Sequence, residues 1–426
     1  MKNLNRNTAP EFQTIQSFDI VKAKKTLLDN GIELYTINAG TQDIVKLDII
    51  LKSGIWFQPK PLVASFTNSM LQEGTKKYAA KEIAEKLDFY GAYFQPITEL
   101  DNSILSLLSL NRFLDGTLEL FSEILKNPVF PQQEFDILVN KRKQNFKLET
   151  EKTKVLAKRK FNELLFGKSH PYSNFYELDD FDRINTEDLK HYHKNVYSPK
   201  NCWIIAAGKI NQNTIHKINQ TFGQSDWGKN EKSNLLKFEL NSTAQKAKVE
   251  KKDAVQSAIR IGKMLVNKTH PDYLKLQVVN TILGGYFGSR LMSNIREEKG
   301  YTYGIGSIIE SLHETGYFAI ITEVGSDVTE QAIHEIYKEI ERLRTEKVAE
   351  EELQRVKNYV LGEMLKNFDG PFALSDTYRL VLDYKLDFDY FQHIYNSIMH
   401  ITSDDVLRLA NTYFDPETMT QVVAGK

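Results

Sequence analysis

Apolar and polar positions along this chain fall into two successive sets of the same elements. In the first set, "IELYTINAG" and "VKLDIILKSG" are apolar, β-branched runs bounded by glycine, which predicts strands. A helical stretch follows at "LVASFTNSMLQEGT", with the large side chains Leu62, Val63, Phe66, Met70 and Leu71. Farther on, "LDGTLELFSEILKNPVFPQQEFDILVNKRKQNFKLETEK" predicts two helices broken at "NPVFP". The second set has the strand "SAIRIGKML" and then "TEQAIHEIYKEIERLRTEKVAEEELQRVKNYVLGEMLKNF", two helices with a break near Lys347.

One stretch repeats without a gap. "INTEDLKHYHKNVYSPKNCWIIAAGK" and "ITSDDVLRLANTYFDPETMTQVVAGK" align at an offset of 217 residues, pairing Ile184 with Ile401, Pro199 with Pro416 and Gly208 with Gly425. Each predicts an amphipathic helix capped at Thr186 or Ser403, a proline stop and a buried strand. The pattern predicts an α+β chain of two homologous domains, each an antiparallel β-sheet covered by helices on one face. The boundaries expected are 15–225 and 251–426. The polar, lysine-rich stretch 226–250 between them is expected to be a linker or strap.

Composition narrows the function classes. A chain of 426 residues exceeds one ordinary core, and its 26% charged residues carry a formal net charge of only −1. That balance points to no nucleic-acid partner and no anionic-membrane surface. No apolar run approaches the ~20 residues that span a bilayer. The first residues show no apolar signal core, so the cytoplasm is expected, with the periplasm as the alternative. The single cysteine, Cys202, excludes an internal disulfide and is expected as a buried strand thiol.

The helix after the first strands is unusual on one side. Ser65, Asn68 and Ser69 fall at i, i+3 and i+4 and share a face of three small, neutral side chains. An H-x-x-E-H motif places two histidines and a glutamate at those positions, so both imidazoles bind one zinc and the carboxylate activates its water. "SFTNSMLQEGT" resembles the motif region of the pitrilysin–insulinase peptidases, with Met70, Gly74 and Thr75 where that family has them. On that resemblance, Ser65 and Ser69 replace the histidines and Asn68 the glutamate. The family's third ligand, a glutamate on a later helix, would fall near Asn140–Lys141, with Glu149 or Glu151 as alternatives. Among the nine histidines, His191 and His193 are two residues apart, and His334 lacks the second histidine of H-E-x-x-H. No catalytic zinc is expected in this chain.

A second motif is kept. In "LGGYFGSRLMSNIREEKGYTYGIGS", Gly284, Gly285 and Gly288 predict a tight turn. A short helix then ends at Gly300 and a strand follows. This resembles the family's second half, where an arginine and a tyrosine seven residues apart bind substrate backbone and stabilise the oxyanion. The matching residues are Arg296 and Tyr303, with Tyr301 the alternative for the phenol. "GAYFQPITEL", from Gly91, resembles the edge strand that takes substrate as an added strand, except that Gln95-Pro96 stands where the family has Asn-Ala. The resemblance implies a zinc-less, Arg/Tyr-bearing subunit of a heterodimeric metalloendopeptidase. Zinc would sit in a partner subunit of the same family, and the substrate would be a peptide. The alternative is a non-catalytic structural or peptide-binding subunit of the same fold.

Overall fold

The computed structural model describes residues 20–224, 227–229 and 243–426. The first half builds a sheet from β1 (Lys24–Leu27), β2 (Glu33–Asn38), β3 (Ile44–Leu51), β4 (Tyr93–Thr98), β5 (Ser103–Leu110) and β6 (Cys202–Gly208). Their order is β1-β2-β6-β3-β5-β4. The second half uses β7 (Lys246–Glu250), β8 (Gln256–Leu265), β9 (Thr302–Ser311), β10 (Gly316–Gly325) and β11 (Thr420–Gly425), in the order β7-β11-β8-β10-β9. The pairs β2–β6 and β11–β7 are parallel and the others antiparallel. Thus β4 and β9 are equivalent edge strands. β7 begins within the stretch expected as linker, because Lys246–Glu250 pairs with β11; residues 230–242 lie outside the described residues.

The offset of 217 holds for whole elements. Helix Thr186–Val196 matches Ser403–Tyr413, and helix Thr153–Phe166 matches Gly370–Asp383. The caps sit one residue earlier than expected, at Asn185 and Thr402. Each accepts from the backbone N–H three residues on, Asp188 or Asp405, whose carboxylate accepts from the cap's own N–H. Ser403 instead donates to the Val348 carbonyl.

Each sheet is buried on both faces, which one-sided helix cover does not explain. Val45, Leu47, Ile49 and Leu51 of β3 enter the core under the first half's own helices. Ile50, with Tyr35, Ile37, Ile104 and Ile205, packs on the other face against Leu374, Tyr378 and Val381 of helix Gly370–Asp383. Reciprocally, Ala157, Phe161 and Leu165 of helix Thr153–Phe166 pack on Ala258, Ala319, Val422 and Ala424 of the second sheet. Each half lends one helix to the other's sheet. Cys202 opens β6 half-buried, and burial pushes its thiol well above the ordinary range.

A polar seam also joins the halves. His313, in the β9–β10 turn, lies 2.9 Å from Asp383 Oδ2 and 3.7 Å from Asp101 Oδ1. Burial lowers the His313 pKa, but Asp383 and Asp101 outweigh it and hold the imidazole above its usual range. A raised pKa means the folded state binds the proton more tightly. This contribution is therefore complete below about pH 6.5 and is lost as pH rises through the raised value. Urea midpoints are expected to fall between about pH 6 and pH 8, and to fall less in His313→Gln. Equal slopes in the two proteins would refute the assignment.

Candidate functional site

The helix Val63–Met70 follows β3, and helix Ala80–Tyr90 separates it from β4; Val63, Phe66 and Met70 lie in the first core. Its polar face is not a wet surface. Asn68, 1% exposed, donates to the Ile97 carbonyl at 2.8 Å and to Thr98 Oγ1 at 3.1 Å, both on β4. The Tyr197 hydroxyl donates to Asn68 Oδ1 at 3.3 Å. Ser65 and Ser69 meet one side chain, Arg142 of helix Gln132–Thr150. Its Nη1 donates to Ser65 Oγ at 3.1 Å, and its Nη2 donates to Ser69 Oγ. The guanidinium carbon lies 4.5 Å from the centre of the Phe66 ring. Burial lowers the Arg142 pKa, and no carboxylate lies within ion-pairing distance of it among the described residues.

Arg142 is one residue past the expected Asn140–Lys141. Glu149 pairs instead with Lys152, and Glu151 with Lys251. A guanidinium thus sits between the two positions where the motif would carry metal-binding imidazoles. Two hydroxyls, an amide committed to β4 and a fixed cation do not fit a zinc ion. His193 is a core residue: its Nε2 lies 2.8 Å from the Leu125 carbonyl, and burial lowers its pKa to about 4.

This arrangement makes a graft informative. Two unit charges 4 Å apart repel by roughly 4 kcal/mol near a protein surface, and a divalent ion feels more. Ser65→His/Asn68→Glu/Ser69→His is therefore expected to take up no zinc in a calorimetric titration. Adding Arg142→Glu is expected to give about one equivalent per chain. Stoichiometric zinc in the triple variant would show that Arg142 does not bar the ion.

The second motif differs from its expected shape. Helix Tyr273–Asn280 continues into a wider turn, Thr281–Gly285, rather than a tight loop. A Cβ at Gly284 would come within 2.7 Å of the Ser307 backbone nitrogen, so glycine lets β9 lie directly on that turn. Met292–Glu298 forms a second wide turn carrying Arg296, and Gly300 takes φ +67° beyond it. The Arg296 guanidinium lies 4.7 Å from the centre of the exposed Phe287 ring, with no ion pair among the described residues.

Tyr303 is placed by an irregularity in the ladder. Ile305 pairs with Thr322, but Thr302 pairs with Val324, so β9 carries one extra residue there. That bulge breaks the alternation in which Ile305, Ser307 and Ile309 face the core. It turns Tyr303 out, 93% exposed, to the side of the sheet covered by helix Thr153–Phe166. Thr302 Oγ1 donates to the Glu323 carbonyl at 2.7 Å and Thr322 Oγ1 to the Gly304 carbonyl at 3.0 Å, pinning the bulge. Tyr301 is half-buried against the second core, which leaves Tyr303 as the free phenol. Tyr303 lines a cavity of about 480 Å³ with Lys158 and Arg260. Ser65 and Arg142 line another of about 620 Å³, and Val155 and Lys158 border both. Among the described residues, no hydrogen bond or cation–π contact joins Arg296 to Tyr303.

Comparison with known families assigns the chain. Residues 35–165 match the model for the insulinase peptidases, family M16, and residues 183–360 match the M16 inactive domain. The chain belongs to the M16 insulinase family. It is 21% identical to the zinc protease PqqE of Helicobacter pylori, over 94% of this chain and 92% of that protein. It is 24% identical to the non-peptidase homolog YmxG of the same organism, over 81% and 80%. A solved M16 inactive-domain structure from Pseudomonas fluorescens superposes with a TM-score of 0.87, covering 95% of this chain and 98% of that one at 23% identity. That structure supports the fold of this chain, in which Ser65, Asn68 and Ser69 stand at the motif positions. Among the described residues, no helix is long and apolar enough to cross a membrane.

Proposed function

We propose that this M16 chain is the zinc-less subunit of a two-chain metalloendopeptidase, supplying Arg296 and Tyr303 to a scissile carbonyl held on a zinc-bearing partner of the same family. The observation that carries the reading is the bulge at Tyr303. A bulge that turns a phenol out of the core and into a cavity contributes nothing to packing, whereas a free phenolic donor suits developing negative charge. Arg142 fills the zinc face of this chain, so the hydrolytic ion belongs to another chain. The two Helicobacter pylori relatives support such a pairing, since a zinc protease and a non-peptidase homolog occur in one organism. The substrate proposed is an unfolded peptide, and the compartment the cytoplasm, with the periplasm as alternative. Mixing this chain with a zinc-bearing M16 chain is expected to yield peptide cleavage that neither shows alone. A partner equally active without this chain would overturn the reading.

A second reading is a non-catalytic, peptide-binding subunit. It is favoured by Arg296 lying over Phe287 rather than beside Tyr303. Replacing Arg296 and Tyr303 in the mixed pair separates the two.

A further inference from the structure

The cavity beside the former metal face has charge left over. Two carboxylates line it, and both are committed: Glu99 to Arg379 at 3.1 Å, and Glu149 to Lys152 at 2.5 Å. Of its cations, Arg159 is held by the Tyr176 carbonyl and by Glu177. Arg142 and Lys158 have no ion-pair partner among the described residues. Arg142 spends one Nη1–H and its Nη2 hydrogens on Ser65 and Ser69. A guanidinium has five N–H groups, so its other Nη1–H and its Nε–H have no acceptor among the described residues. Arg142 is only partly buried, so water can reach these N–H groups, and an anion that takes the place of that water gains charge-assisted hydrogen bonds.

The surroundings suit part of a peptide. At about 620 Å³, the cavity has the volume of a ligand pocket. Its walls alternate aromatic rings, Phe146, Phe166 and Tyr176, with the amides of Asn145 and Asn162. Thr98 and Glu99, where edge strand β4 ends, form part of its lining. Asn68 takes the Ile97 carbonyl, so a peptide added along β4 pairs with Tyr93–Gln95 and leaves the strand beyond them, on the side where the cavity opens.

We propose that this cavity takes the carboxylate of a peptide lying along the β4 edge, with Arg142 as its anchor, so that the chain selects acidic peptides. The ion lost from the zinc face is replaced by a cation that binds rather than cleaves. The inference concerns this chain alone and stands or falls without a partner subunit.

The carboxylate can come from an Asp or Glu side chain or from the peptide's C-terminus, and four versions of one synthetic decapeptide distinguish these sources. They carry Glu or Gln at one central position, each with a free or an amidated C-terminus, and are titrated into the full chain by calorimetry. A charge-assisted hydrogen bond predicts about tenfold or greater preference for one of the two carboxylates. Arg142→Gln is expected to abolish that preference while the neutral, amidated peptide binds as before. Should Arg142→Gln fail to fold by circular dichroism, Lys158→Glu on the exposed side of its helix carries the test. It is expected to weaken the acidic peptide several-fold relative to the neutral one. Equal affinities for all four peptides, a preference that survives Arg142→Gln, or a preference left unchanged by Lys158→Glu would overturn the proposal.

Discussion

Tyr303→Phe, assayed in the mixed pair, is expected to lower kcat by about 10²–10³ with KM nearly unchanged. The substitution removes one hydroxyl and keeps the ring. Tyr303 is 93% exposed and its hydroxyl has no partner among the described residues, so stability is expected to be unaltered. Any loss of rate is therefore chemical. An oxyanion donor acts more strongly in the transition state than in the ground state, which is why the effect falls on kcat. Arg296→Ala is expected to differ, because a guanidinium that also holds substrate backbone raises KM as well. If both variants cleave as fast as the parent, the oxyanion role fails and the binding-subunit reading takes its place.

The bulge gives this prediction a structural control. Thr302 and Thr322 pin the extra residue through their hydroxyls, so Thr302→Val is expected to loosen Tyr303 without touching it. A partial loss of rate in that variant, smaller than in Tyr303→Phe, would tie the function to the aim of the side chain and not merely to its presence.

The duplication was legible because its markers are local. A capping residue, an acid three positions on, a proline stop and an apolar strand repeat at a fixed offset, and each acts within a few residues of itself. The same locality explains the one-residue error in the caps: Asn185 and Thr186 are both competent, and only the observed hydrogen bond chooses. The loss of the zinc ligands was visible at Ser65, Asn68 and Ser69 for the same reason. Arg142 was not, since "NKRKQ" offers three adjacent cations and only the pitch of the helix decides which one turns inward. Nor was the bulge at Tyr303, because pairing is set jointly with β10 and leaves no mark in β9 alone. The exchanged helices were hidden for a third reason. Their apolar residues suit any core, and the sheet each one covers lies in the other half of the chain.

That exchange carries the largest expected effect on stability. Phe161→Ala is expected to destabilise the whole chain by about 3–5 kcal/mol in urea unfolding. Phe161 is fully buried in the middle of helix Thr153–Phe166, among Ala157, Leu165 and the second-sheet alanines Ala258, Ala319 and Ala424. Those alanines are small because the helix lies close on the strands; Leu165 and Tyr317, whose ring centre is 6.5 Å from that of Phe161, are the larger neighbours, so a cavity left by the ring is filled only in part. The helix belongs to the first half and the surface beneath it to the second. Losing the ring therefore weakens both at once, and a single transition shifted to lower urea is expected rather than two. The exposed Leu148→Ala serves as the control, with a change within about 0.5 kcal/mol. A loss below about 1 kcal/mol in Phe161→Ala would mean that the crossing helix rests on the second sheet without holding it. Two separated transitions would mean that the halves fold independently.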